Sequence, residues 1–237
     1  MKKRLLVILV LFTFQSATAQ LFSKERVLNN ENFDKVRLSY GYYMGFNVYG
    51  YKIDYTANVK DVQILKSVGL NVGLVGNLRI NDYIDVRLEP GLVISRRELN
   101  YSQSYFNGIA YEDKDLSREI QSTFVHIPLL IKFSTKRINN IKPFIVGGVS
   151  TALNLSSQQD NPDDNSNNTF RVTKNNLYYE LGIGIDLYLT WFKFSPSIRG
   201  VFSMQNELVN DFDPNSPWTR NIAQMQTRGL FVNFTFQ

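Results

Sequence analysis

Asp85, Arg87 and Glu89 alternate with an apolar set, Ile84, Val86, Leu88, Pro90, Leu92 and Ile94, within YIDVRLEPGLVIS (83–95). A β-strand sends alternate side chains to opposite faces, so this segment's two faces meet different media. Five more charges occupy equivalent positions in other segments: Lys132, Glu180, Asp186, Lys193 and Arg199. Carboxylates and cations gathered on one face can do one of two things. They can pair and neutralise one another in a confined space, as buried charges must. Alternatively, Arg87, Glu89, Glu180 and Arg199 can line a path for conduction or binding.

Other chemistry has little support. His126 is the only histidine and there is no cysteine, which excludes disulfides and thiolate catalysis and argues against a conventional zinc site. His126 stands beside no nucleophile motif and reads as a packed or hydrogen-bonded side chain. Gly182-Ile183-Gly184 lies mid-strand with no helix behind it, so it lacks the context of a phosphate-binding turn. Asp160-Asn161-Pro162-Asp163-Asp164-Asn165 offers clustered oxygens that calcium could use, but the spacing departs from an EF-hand loop and the same residues build ordinary turns. No catalytic residue, metal or cofactor is therefore expected, and no small-molecule substrate. Trp218, in DPNSPWTRN, has two readings: an aromatic of the membrane interface or an anchor for a protein partner.

These residues need a scaffold, and the chain announces it from its start. MKKRLLVILVLFTFQSATAQ carries three cations, an apolar run and Ala17-Thr18-Ala19, the order of a secretory signal peptide cleaved between Ala19 and Gln20. Losing residues 1–19 removes Lys2, Lys3 and Arg4 with no acid, so the net charge falls from +5 to +2 and no nucleic-acid partner is implied. A polar segment (20–35) follows. Residues 36–237 then hold eight alternating segments: 36–48, 67–80, 83–95, 122–134, 142–155, 177–189, 192–204 and 228–237. All exceed the usual five or six residues of a globular strand and are long enough for the roughly 9–11 that a tilted strand needs to cross a bilayer.

The connections alternate strictly. Those at 81–82, 135–140 and 190–191 are short, while those near 49–66, 99–121, 156–176 and 205–227 are long and polar. Short periplasmic turns, long outer loops and an even strand count are the pattern of an outer-membrane barrel. The expectation is an all-β, eight-stranded, antiparallel up-and-down transmembrane β-barrel. Its apolar face meets outer-membrane lipid. The mixed face, with Asp85, Arg87, Glu89, Lys132, Glu180, Asp186 and Arg199, fills a lumen with room for side chains only.

The chain also resembles the PorT/SprT family, outer-membrane barrel proteins of the type IX secretion and gliding apparatus. The likeness rests on NFDKVRLSYGYYMGFN, NVGLVGNLRIND with LEPGLVISRREL, STFVHIPLLIKFS with KPFIVGGVS, NLSSQQDNPDDNSNNTFR, FKFSPSIRGVFSMQNELV and DPNSPWTRNIAQMQTRGLFVNFTF. It implies a non-enzymatic role in secretion, with other secretion-system proteins as partners, and supplies no catalytic residue. A secreted protein could not pass through eight strands, so such a role would be supporting. A narrow small-solute channel with a charged lumen is the alternative.

Overall fold

A computed structural model describes residues 28–56, 59–161 and 170–237; the signal segment, with Ala19 and Gln20, lies outside the described residues. The strands are β1 (Leu38–Tyr55), β2 (Gln63–Lys66), β3 (Val68–Arg79), β4 (Ile84–Leu88), β5 (Gly91–Asn100), β6 (Ser117–Ser134), β7 (Ile141–Asn154), β8 (Asn175–Tyr188), β9 (Lys193–Ser203) and β10 (Ile222–Phe236). All belong to one antiparallel sheet, and β1 pairs with β10 on one side and β3 on the other, which closes the ring.

The ring has eight walls because β4 and β5 are one wall interrupted at Glu89-Pro90; β3 and β6 each pair with both pieces. Pro90 has no N–H for a ladder, which accounts for the break. Side-chain alternation passes through it unchanged: Asp85, Arg87, Glu89, Val93, Ser95 and Arg97 are all buried. β2 is a short outer piece paired only with the end of β5.

Register fixes the shape of the cylinder. Paired residues followed round the ring from Val48 pass through Leu230, Gly200, Leu181, Gly147, Ile131, Val86 and Leu78, and return to Leu38, ten residues along the same strand. A stagger of that size in eight strands tilts them by about 40°. The outward residues of β1, Leu38, Tyr40, Tyr42, Met44 and Phe46, are exposed and apolar. From Leu38 to Val48, ten tilted steps of about 3.3 Å cover about 25 Å, the height of a lipid-facing band. Trp191 protrudes from the β8–β9 turn, and stacked pairs such as Tyr42–Phe236 extend an aromatic girdle at that end.

Three of the four outer connections are shorter than the sequence pattern suggests. β1 runs on to Tyr55, β5 to Asn100, β6 starts at Ser117 and β10 at Ile222. Above the lipid band the outward positions turn polar, Lys52 and Asp54 on β1 for example, so hydropathy ceases to alternate while backbone pairing continues.

Candidate functional site

Among the described residues, the lumen gathers a dense group of buried charges. All seven residues assigned to it from sequence lie inside and buried, and they form two clusters. In the first, Arg199 on β9 joins carboxylates from two other walls: its guanidinium lies 2.5 Å from Glu89 and 2.9 Å from Glu180. Arg87 approaches Glu89 at 3.2 Å and donates to Asn77 at 3.3 Å. His126 Nε2 lies 2.8 Å from Glu180.

In the second cluster, Lys132 pairs with Asp186, which also accepts a hydrogen bond from Ser195 at 2.6 Å. Asp85 stands across the ladder from Lys132. Lys193, buried beside them, is a further lumen cation. The Phe144 ring lies between the clusters, 4.2 Å from Lys132 Nζ and 5.7 Å from the Arg87 guanidinium. Any side chain at position 184 would collide with that ring, which is why glycine occupies the mid-strand site.

Around the clusters the filling is continuous. Asn47 donates to Asn71 at 2.6 Å and Asn71 to Asn233 at 3.0 Å, a ladder across three walls. Tyr49, Phe124, Tyr178 and Phe231 form an aromatic layer. Arg97 lies over the Tyr51 ring at 4.2 Å and donates to Thr227 and Ser122, both at 3.1 Å. Glu207 reaches in from the outer loop to accept from Thr227 at 2.6 Å, and burial raises its carboxyl above the ordinary value.

Both mouths are covered. At the periplasmic end, residues 28–36 cross the opening through a 3-10 turn, Glu31–Lys35. Asp34 accepts from Arg137 at 3.0 Å and from the Tyr188 hydroxyl at 2.7 Å. Arg137 stacks on Tyr188 at 3.8 Å, and Lys193 Nζ sits 4.4 Å from the Phe33 ring. A cavity of about 20 Å³ beneath, lined by Asn77, Asp85, Lys142 and Lys193 among others, has room for about one water.

At the outer end the loops build a second apolar core, with Tyr101, Tyr105, Phe106, Phe170 and Leu208 buried. Trp218 stands within it. Its indole N–H donates to the Asp115 carbonyl at 3.0 Å, Arg118 covers one face at 4.2 Å, and Phe106 meets it edge-on at 5.8 Å. Trp218 thereby ties the 204–221 loop to the 101–116 loop. Of the calcium-like stretch 160–165, positions 162–165 lie outside the described residues.

Sequence reasoning missed several participants. Arg97 was within reach, since the alternation 85, 87, 89 continues to it through the unpaired Pro90. The contacts of Asp34 with Arg137 in the β6–β7 turn, and of Glu207 with Thr227 on β10, carry no sequence signal because each involves a loop or lead-in residue outside the alternating pattern.

A closed eight-walled cylinder with an apolar exterior and an occluded polar interior defines a small transmembrane β-barrel. Over residues 18–209 the chain matches the family described as outer membrane protein beta-barrel domain; it belongs to that family, and its place is the outer membrane. No curated protein sequence matches it. Among solved structures it is similar to the outer membrane protein OprG from Pseudomonas aeruginosa, with 12% identity and a TM-score of 0.43 over 83% of this chain and 94% of that one. Ail, the attachment invasion locus protein of Yersinia pestis, aligns at 11% identity and a TM-score of 0.38, over 85% and 99%. Neisserial surface protein A aligns at 9% and 0.41, over 84% and 97%.

Proposed function

We propose that this barrel is a non-enzymatic accessory of protein secretion, an anchor that holds an ordered outer platform in place. The observation that carries this reading is the closure of the lumen: charge pairs fill its centre, a strap crosses one mouth and an apolar-cored cap covers the other. Such a cylinder serves better as a mount than as a conduit. The resemblance to the PorT/SprT family supplies the particular system, type IX secretion and gliding, and makes other secretion-system proteins the partners. Trp218 serves those partners by fixing the shape of the surface they meet.

Deletion of the gene tests the reading directly. Export of extracellular proteases and adhesins should fall and surface spreading should stop; unchanged export rejects the secretion role. Purified protein in planar bilayers should show no steady conductance. Large, persistent openings would favour the narrow charged channel instead.

A further inference from the structure

The outer rim of the lipid-facing band is not uniform around the barrel. On four neighbouring walls the alternating outward apolar run ends at Leu230, Val48, Val68 and Ile94, with an exposed Leu65 beyond Val68. Just beyond them toward the outer mouth stand Arg228, Gly50 and Arg96, and Lys66, whose side chain reaches the outer face past a register shift at Ser67 that pairs its backbone with Arg97. Arg228 and Gly50 are register partners, and the Ser67 N–H donates to the Arg96 carbonyl at 3.3 Å, so these positions are lateral neighbours. The corresponding positions on β7, β8 and β9 are Leu155, Asn175 and Met204, none of them charged.

Gly50 faces outward yet is buried, because the Lys66 side chain lies across it. A Cβ at residue 50 would stand 2.5 Å from Lys66 Cε and 3.1 Å from Nζ. The missing side chain therefore lets the ammonium lie flat against the wall, toward the strand that carries Arg228. Arg96 is paired with Glu119 at 2.6 Å, and Lys52, higher up, with Asp54 at 3.0 Å. Among the described residues Lys66 and Arg228 take part in no ion pair, so the ledge keeps uncompensated positive charge.

We infer that Lys66, Arg228 and Arg96 form a seat for the phosphate groups of a phosphorylated lipid of the outer leaflet. The ledge continues directly from the acyl-facing band, so one molecule can lay its chains along Val48 and Val68 and present phosphate to the cations. A freely soluble anion would gain nothing from that continuity. An arginine fork and a lysine point charge are both suited to phosphate oxygens.

The test uses the full-length protein in detergent with diphosphorylated lipid A as the probe and native mass spectrometry as the readout. The K66Q/R228Q variant should retain less lipid A than the wild type by about tenfold or more, because each cation near an anionic lipid surface contributes measurably to binding. R37Q, exposed at the opposite end, should match the wild type. Gly50→Ala, which lifts the ammonium away from the wall, should weaken retention with both charges still present. Undiminished retention by K66Q/R228Q overturns the inference, as does equal retention of dephosphorylated lipid A. Complete displacement of the lipid by inorganic phosphate overturns it in favour of a simple anion site.

Discussion

The lumen and the outer cap both exclude water, by opposite means. In the lumen, closure comes from charges on different walls: Arg199 from β9 against Glu89 and Glu180, Lys132 from β6 against Asp186 on β8. In the cap it comes from rings and aliphatic side chains contributed by separate loops, with Trp218 and Arg118 stacked at the junction. The difference follows from the backbone. Strand walls place side chains at fixed spacing, so ion pairs with demanding geometry can be set. Loops hold no such register, and non-directional apolar packing tolerates that.

The contrast can be broken most severely in the lumen. Arg199→Met leaves Glu89 without its closest partner and Glu180 without its arginine, and removing one side of a buried pair costs about 3–5 kcal/mol. Urea unfolding in detergent micelles, followed by heat-dependent gel mobility, should show that loss for the whole barrel. Combining it with Glu180→Gln, while Glu89 keeps its pair with Arg87, should recover a substantial part, because the carboxylate stranded at position 180 is then gone. No recovery would mean that Arg199 acts through packing alone.

A smaller and more local effect is expected in the cap. Trp218→Ala should cost about 2 kcal/mol, below the range of a fully buried aromatic because the ring is only half-buried. Hydrogen exchange should quicken in the 101–116 and 204–221 loops while the walls stay protected. If the walls loosened equally, the cap and barrel would be one cooperative unit.

The smallest effect is a pH dependence confined to the cap. Asp115 accepts from the Glu112 backbone N–H at 3.0 Å and from Arg118 at 3.3 Å; the backbone donor, then Arg118, hold its carboxyl below the ordinary carboxylate value. A lowered folded value stabilises the cap above the unfolded value, near pH 4, and that contribution is lost as pH falls through the folded one. Exchange in the 101–116 loop should rise as the medium is acidified below about pH 4, and Asp115→Asn should remove the step. An unchanged step in that variant would assign the titration elsewhere.

How much of this was legible beforehand differs between the same two regions. Eight lumen charges, Lys193 among them, follow from period-two alternation, because a strand's geometry is local: once Ile84 faces lipid, Asp85 must face inward. Arg97 obeys the same rule, four two-residue steps past Glu89 on the other side of Pro90. Nothing comparable identifies Trp218 as an internal tie, or Asp34 and Arg137 as a strap, since their partners are about a hundred residues away in the chain.

By itself the sequence determined which residues face lipid, which face inward, how many walls there are and which connections are long. Those properties depend on neighbours one or two residues apart. Only the tertiary structure decided that Arg199 reaches two carboxylates at once, that the charges divide into two clusters, and that both mouths are covered. Those outcomes depend on the ten-residue stagger of the ring and on where the loops come to rest, quantities set by closure of the whole cylinder rather than by any single stretch of it.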